Sequence, residues 1–532
     1  MSTNETTPLE SFINHKADTG MQCGNYSIDI EKPKDGEQYR FHFDATACVG
    51  CHCCEVACNE QNNNPSDVKW RRVGETQSGI FPNVTNHFNS MSCNHCIDPE
   101  CLKGCPTESY IKFDNGIVYH EDETCIGCQY CTWNCPYEVP VFNQDRGIVT
   151  KCHMCHEKLD VGQTPACVQA CPAGAIAIEI VKVDEWLEKG LEEDGVAPHL
   201  PNTDITKPTT RYTISDEEKN SKAIPADDHI IKPNHSEWPL VFMTVLTQIS
   251  VGGFAALVFG ELINFIGFDL AMPSIWMLIA VLVPAAIGLP LSALHLGRPG
   301  LAYTAMKNIK TSWLSREALA LGVYAGGLTL LVPVFYFEFS QWFRLVLELI
   351  FLGVGIYGIY AQSMIYRIKA RPSWNKKETT NIFFYVSYIG LLLITYVLVL
   401  SEQYTSAGVV LPFALFIAYF QYEEFSKQKE FYSTLDEDEN NFYQLNKTKV
   451  LYEEHFVKHN EFRARSLYVG ALGFPLLAML LLASGNYSTT LLVLFLSLVI
   501  SFSSEIISRL LFYKTAVALG LAGNFFAGNQ RG

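Results

Sequence analysis

Sixteen of the eighteen cysteines fall into four groups of four, and these carry the most chemistry in the sequence. Cys48, Cys51, Cys54 and Cys58 are spaced C-x2-C-x2-C-x3-C. Cys93, Cys96, Cys101 and Cys105 follow with spacing x2, x4, x3 and then Pro106. Cys125, Cys128, Cys131 and Cys135 repeat the first spacing and end on Pro136. Cys152, Cys155, Cys167 and Cys171 are spaced x2, x11, x3 and precede Pro172. Three thiolates this close can wrap one face of an iron-sulfur cubane, while a fourth, three residues later and often before proline, leads toward a second cluster. Four complete groups therefore predict two ferredoxin modules holding four 4Fe-4S clusters, and no three-iron site. Zinc or disulfides would need only paired cysteines and would leave the triplets unexplained. Cys23 and Cys53 are left over and read as bystanders. His52, His95, His153 and His156 stand beside ligands, where a ring could tune a cluster by hydrogen bonding or simply occupy a tight loop.

A second set of chemical residues lies in the apolar half of the chain. His295 is the only histidine in any apolar segment, and Glu317 follows it with Arg298 and Arg316 nearby. Glu505 and Arg509 are spaced i, i+4 and could pair across one helical turn. Gln248 lies in the first apolar segment. Ionisable groups in lipid are costly and mark proton or substrate paths, the bland alternative being a side chain that snorkels to the interface. A membrane b-type haem usually takes two histidines, and one cannot supply both. No haem is expected, and electrons should pass directly between a lipid-soluble carrier and a cluster.

The elements that must position these residues divide into two halves. Residues 1–236 hold 19 Lys+Arg against 36 Asp+Glu, a charge of −17, while residues 237–532 hold 20 against 19, a charge of +1, so all the net negative charge of the chain, −16, comes from the cysteine half. Eight apolar segments follow at about 238–262, 274–296, 315–337, 343–366, 380–400, 408–425, 466–484 and 488–512. Each has the length of a membrane-spanning helix and lacks the polar face of a soluble bundle helix. A single soluble globule is excluded, and a nucleic-acid binder is disfavoured because nothing in the sequence makes a basic patch. In the cysteine half, Asn115-Gly116 between short apolar runs predicts a hairpin. The stretch AIAIEI at 175–180 predicts a closing strand, and VDEWLEKG after it a short helix. The domain reading is a polar leader at 1–39, an α+β double ferredoxin-like domain at 40–182, a linker at 183–236, an all-α eight-helix membrane anchor at 237–522 and a tail at 523–532. The linker is assigned because 183–236 is rich in Pro, Asp, Glu, Thr and Lys with no sustained apolar period.

Loop charge orients the anchor. The loops near 263–273, 338–342, 401–407 and 485–487 contain no Lys or Arg, whereas the opposite set carries all the basic loop residues, including Arg371, Lys376, Lys427, Lys449 and Arg463. The positive-inside rule puts the basic side in the cytoplasm. The N-terminus shows no apolar signal core and no twin arginine. An inner-membrane protein with its iron-sulfur half in the cytoplasm is expected.

The motifs CVGCHCCEVAC with WRRVGE, SCNHCIDPECLKGCP, ETCIGCQYCTWNCPYEVPVFN and TKCHMCHEKLDVGQTPACVQACPAGAI resemble the iron-sulfur subunit of the dimethyl sulfoxide reductase family of molybdenum enzymes. The resemblance implies that ligand groups pair crosswise, one with four and two with three. One cluster would take Cys48, Cys51, Cys54 and Cys171, and its neighbour Cys152, Cys155, Cys167 and Cys58. A third would take Cys93, Cys96, Cys101 and Cys135, and the last Cys125, Cys128, Cys131 and Cys105. The stretches HSEWPLVFMTVLTQISVGGF, ALHLGRPGLAY, TSWLSREALA, RPSWN and SEIISRLLFYKTAVALGL resemble the membrane anchor of the same family. Two usually separate subunits would be fused into one polypeptide, and His295 and Glu317 would match residues tied to menaquinol oxidation. The family's best-known anchor has both ends outside, whereas the loop charges here point inward.

The implied function is electron transfer between the menaquinol pool and a separate molybdopterin-containing catalytic subunit, since no segment remains to hold a terminal active site. The alternatives are the same wire run backwards, reducing quinone for a sulfite or similar dehydrogenase, or donation to a nitrate reductase. Protease added to intact spheroplasts should leave residues 1–236 uncut if the loop charges set the topology. Ready digestion of that half would reverse the orientation.

Overall fold

The computed structural model describes residues 22–23, 26–27, 32–220, 223–268, 270, 274–435, 443–517 and 520–523. It divides into two compact units, residues 1–231 with 518–532 and residues 232–517.

In the iron-sulfur unit, Gln22–Cys23 (β1) and Tyr26–Ser27 (β2) form a short antiparallel ladder. Strand Glu37–Asp44 (β3) alternates, with Tyr39, Phe41 and Phe43 buried between half-exposed Arg40, His42 and Asp44. Period-2 burial of this kind makes a one-faced strand. Arg72–Ile80 (β4) and Asn83–Met91 (β5) pair as a long antiparallel hairpin. Two small hairpins serve the cysteine loops, Tyr110–Lys112 (β6) with Val118–His120 (β7), and Val141–Asn143 (β8) with Ile148–Thr150 (β9). The expected turn at Asn115-Gly116 lies in the five-residue loop of the first, where Gly116 has φ 83°. Ile176–Lys182 (β10) closes antiparallel on β3, so that Ile176 faces Phe43 and Ile178 faces Phe41. The core that results is shared by these side chains and by Cys54, Cys93, Cys152, Cys167 and Cys171.

The linker reading of 183–236 gives way to a folded segment. A continuous helical stretch runs over 183–193, and Trp186 Nε1 donates to Pro208 O at 2.9 Å. Arg211–Thr213 (β11) then pairs parallel with β3, and Ile224–Pro225 (β12) pairs with β4. The segment lacks apolar periodicity because it is held by polar contacts to loops that are already built. Thr209 Oγ1 donates to Asn94 O at 2.7 Å and Thr210 Oγ1 to Asn94 Oδ1 at 2.6 Å. The boundaries at 39 and 522 move as well. β3 begins at Glu37, and Leu521 packs into the core of the iron-sulfur unit.

In the membrane unit, eight helices among the described residues are long and apolar enough to cross a bilayer. They are Trp238–Phe265, Ile275–His295, Trp313–Tyr336, Gln341–Tyr366, Lys377–Leu400, Tyr404–Ser433, Val457–Ala483 and Tyr487–Lys514. The first and fifth are the innermost, 83% and 67% buried along their apolar windows against at most 44% for the others. Glycine lets these two approach closely. A methyl group added at Gly252 would stand 2.2 Å from Ser387 O, and one at Gly390 2.2 Å from Ile249 O. Small residues at a helix crossing provide the packing that lipid cannot drive by hydrophobicity.

Candidate iron-sulfur and quinol sites

The four Cys-x-x-Cys loops share one backbone device. The residue before each second cysteine is left-handed: Gly50 at φ 65°, His95 at 40°, Gly127 at 69° and Met154 at 58°. That turn aims the amide back at the first thiol. The N–H groups of His95, Gly127 and Met154 donate to Cys93, Cys125 and Cys152 at 3.4 Å. Further along, Ser109 N–H donates to Cys105 at 3.3 Å and Ala175 N–H to Cys171 at 3.2 Å. Amides directed at sulfur stabilise thiolate. Glycine takes such a φ without strain, whereas His95 and Met154 hold it at a cost.

These loops bring thiols of different sequence groups beside one another. Burial pushes the Cys48 thiol up to about 11, and Cys54, Cys171 and Cys51 add to the rise. Burial raises Cys58 well above the ordinary thiol range, with Cys152, Cys167 and Cys155 beside it. Cys101 is raised by burial and then by Cys135, Cys93 and Cys96. Cys131 is raised by burial and then by Cys128, Cys125 and Cys105. Each of these thiols stands beside thiols of another sequence group. Thiols held together, buried and disfavoured as free thiolates suit a polynuclear cation that neutralises them. Cys93, Cys96, Cys101 and Cys135 line one cavity together with Val118, Tyr137, Val139 and Lys151.

Of the four histidines beside ligands, His95 turns its ring to a sulfur, with Nε2 4.0 Å from Cys152 Sγ. His52 lies 3.3 Å from Glu55, His153 packs edge-on against Trp70, and His156 packs against Phe113 and Tyr119. Burial, and then His156, lowers His153 to about 4. Cys53 is exposed, as a bystander would be. The side chain of Cys23 lies outside the described residues. Several neighbours of the thiols are not evident from cysteine spacing. Ser90 Oγ is 3.3 Å from Cys54 Sγ, and Thr206 Oγ1 is 3.3 Å from Cys96 Sγ. Lys151 Nζ donates to Cys93 Sγ at 3.5 Å. Arg71 is fully buried, with Nη1 and Nη2 on Ser90 and Ser92 and its face 4.6 Å over the Phe41 ring. Burial opposes its charge, but Cys167, Cys54, Cys152 and Cys58 overcome that and hold it cationic. Basic residues inside a cysteine-rich segment are the signal that could have found Arg71 and Lys151.

In the membrane unit, His295 ends the second span in a 3-10 turn, its Nδ1–H donating to Ser292 O. Glu317 is buried on the third span and accepts from Gln362 Nε2 at 2.9 Å. His295 and Glu317 share one end of the unit, because the second and third spans meet there through a connection at 296–312. The donor series continues away from Glu317. Gln248 Nε2 donates to Gln362 Oε1 at 2.7 Å, and Arg509 Nη2 to Gln248 Oε1 at 3.2 Å. The expected Glu505–Arg509 pair is replaced by two separate partnerships. Glu505 accepts from Gln421 Nε2 at 2.9 and 3.0 Å, while Arg509 serves Gln248 and covers the Phe383 ring. A second buried group emerges only in the fold. Glu261 on the first span pairs with Arg344 at 3.2 Å, and Glu348, one turn along from Arg344, is also buried. It lies at the end of the unit opposite His295.

A thiol-lined ferredoxin-type domain joined to an eight-helix bundle in one polypeptide defines a membrane-anchored iron-sulfur electron-transfer protein. Comparison with known families agrees. Residues 232–515, more than half of the chain, match the DMSO reductase anchor subunit (DmsC), and residues 84–180 match a 4Fe-4S dicluster domain. The sequence is 40% identical over 181 residues to the B subunit of the anaerobic dimethyl sulfoxide reductase of Haemophilus influenzae, covering 32% of this chain and 87% of that protein. It is 37% identical over 179 residues to the Escherichia coli B subunit, covering 32% and 86%. It is also 39% identical over 184 residues to the iron-sulfur subunit of Escherichia coli formate dehydrogenase-O, covering 31% and 60%. The protein belongs to the DMSO reductase anchor subunit family, with an iron-sulfur subunit similar to those B subunits fused ahead of the anchor.

Crosswise sharing predicts which cysteine replacements act together. Cys101→Ser and Cys135→Ser should perturb the same cluster signal in electron paramagnetic resonance, and Cys105→Ser and Cys128→Ser a different common one. If Cys101→Ser matched Cys105→Ser instead, ligation would be local to each group.

Proposed function

We propose that the protein carries electrons between the menaquinol pool and a separate molybdopterin-containing catalytic subunit through four 4Fe-4S clusters held by the sixteen cysteines. The clusters, when bound, supply one-electron redox chemistry. Everything else falls to the chain's own residues. The sixteen thiols hold the clusters in two pairs, each pair sharing two cysteine groups, and the buried cations Arg71 and Lys151 balance their negative charge. Oxidising a quinol releases two electrons and two protons, so a base must stand where the quinol binds. His295 suits that part. Its Nδ1–H is committed to Ser292 O, which makes Nε2 the proton-accepting nitrogen of the neutral ring. Glu317 would accept a hydrogen bond from the second hydroxyl or pass its proton on.

The observation that carries this reading is Glu317, a buried carboxylate at the end of a series of donors from Arg509 through Gln248 and Gln362. Such a charge in a span is expensive unless it is used. An apolar crevice lined by Val251, Gly252, Ile359, Ser387, Val410 and Phe413 lies one helical turn from Gln248 and Gln362, which suits an isoprenoid tail. The loop charges favour the cytoplasm for this end and for the iron-sulfur unit. The similarity to a formate dehydrogenase iron-sulfur subunit favours one second reading, the same residues reducing quinone for an oxidising partner.

His295→Leu should assemble with the catalytic subunit and accept electrons from a small artificial donor, yet fail with a menaquinol analogue. Glu317→Gln should lose less, because the amide keeps a hydrogen bond and gives up only the charge. Wild-type quinol oxidation by His295→Leu would move the site elsewhere, the Glu505 region being the next candidate.

A further inference from the structure

Two of the thiol sets are joined by a reciprocal pair of donors whose crossed placement the electron-transfer reading does not use. His95 belongs to the second cysteine group and Lys151 precedes the fourth. Lys151 reaches across to the second group, with Nζ 3.5 Å from Cys93 Sγ. His95 reaches back to the fourth, with Nε2 4.0 Å from Cys152 Sγ. Cys93 stands in the set with Cys101 and Cys135, and Cys152 in the set with Cys58.

One residue of β7 fixes both donors. Val118 N–H donates to His95 Nδ1 at 3.0 Å, and Val118 O accepts from Lys151 Nζ. A nitrogen that accepts a backbone hydrogen bond carries no proton. The ring is therefore neutral with its hydrogen on Nε2, the nitrogen that faces Cys152. His95 also holds φ 40° while its own N–H binds Cys93 Sγ at 3.4 Å, so this one residue touches both sets. Lys151 is 3% exposed, and its hydrogen bonds go to Cys93 Sγ and to the carbonyls of Val118 and Cys152. Among the described residues no carboxylate pairs with it. A buried ammonium needs an anion, and the thiolate set containing Cys93 is the one it touches.

We infer that His95 and Lys151, crossed between the second and fourth cysteine groups, set the reduction potentials of the two clusters they join, each residue acting on the cluster ligated by the other's group. The inference rests on the four-cluster reading above and adds the control of its middle step. A donor or a positive charge at a ligand sulfur stabilises the reduced, more negative state of a cluster and raises its potential. Both residues are positioning residues: they act on ligand sulfurs and touch no substrate.

The test is a redox titration of the whole complex in membranes, followed by electron paramagnetic resonance, which reads each cluster's midpoint. Lys151→Met removes the charge and should lower one midpoint. His95→Gly keeps the left-handed turn, removes the ring and should lower a different one. His95→Gln restores an N–H near the position of Nε2 and should recover most of that shift. Lys151→Gln, which keeps an N–H donor, should give an intermediate shift and serves if the methionine variant does not assemble. Two midpoints unmoved in these variants, or all four moved together, would overturn the inference. Fewer than four clusters in the unaltered protein would instead overturn the cluster reading beneath it.

Discussion

Cysteine thiols gathered beside one another, most of them drawn out of water, are the constraint on which the iron-sulfur unit depends. Burial raises many of them, Cys48, Cys54 and Cys167 to about 11, and neighbouring thiols add to the cost, while at Cys125 burial is outweighed by His120. A folded protein can sustain that arrangement when cations neutralise the sulfurs, which makes cluster binding part of the folding free energy. The short hairpins, the left-handed cysteine loops and the amides aimed at sulfur all follow from holding thiolates in place. Even the strands contribute mainly by closing the cysteine loops, since Ile176 and Ile178 of β10 share one core with Cys167 and Cys171.

The membrane unit meets a related constraint with different means. Apolar helices in lipid gain little by hiding apolar surface from each other, so Gly252 and Gly390 supply close backbone contact and a few polar side chains supply direction. The series of donors from Arg509 to Glu317 satisfies each amide in turn and delivers its last hydrogen bond to a carboxylate. Arg509 lies on the last span and Glu317 on the third, so residues nearly 200 positions apart are joined through the first and fourth. The opposite end has its own buried acids, Glu261 and Glu348, with Arg344 between them in sequence.

What is legible in the sequence follows from which features are local. Ligand spacing is written in consecutive residues because one cluster face spans one loop, and spans are written as apolar runs because a bilayer has fixed thickness. The segment 183–236 reads as a linker because its fold is borrowed: Thr209 and Thr210 bond to Asn94 and β11 pairs with β3, groups of distant sequence, and leave no period of their own. Glu505 and Arg509 have a spacing that allows a pair, yet Gln421 and Gln248 on other spans offer better-placed partners. The crossed contacts of His95 and Lys151 are illegible for the same reason, since the peptide group that orients both belongs to Val118. Glu261, Arg344 and Glu348 lie within apolar segments and are legible singly, but only the fold shows them as one group.

The most direct test of this account is the metal content of the anaerobically purified protein. Four cubanes in four thiol sets require iron and acid-labile sulfide near sixteen of each per polypeptide, about four per cluster. Zinc in place of iron, or iron and sulfide near eight, would contradict it.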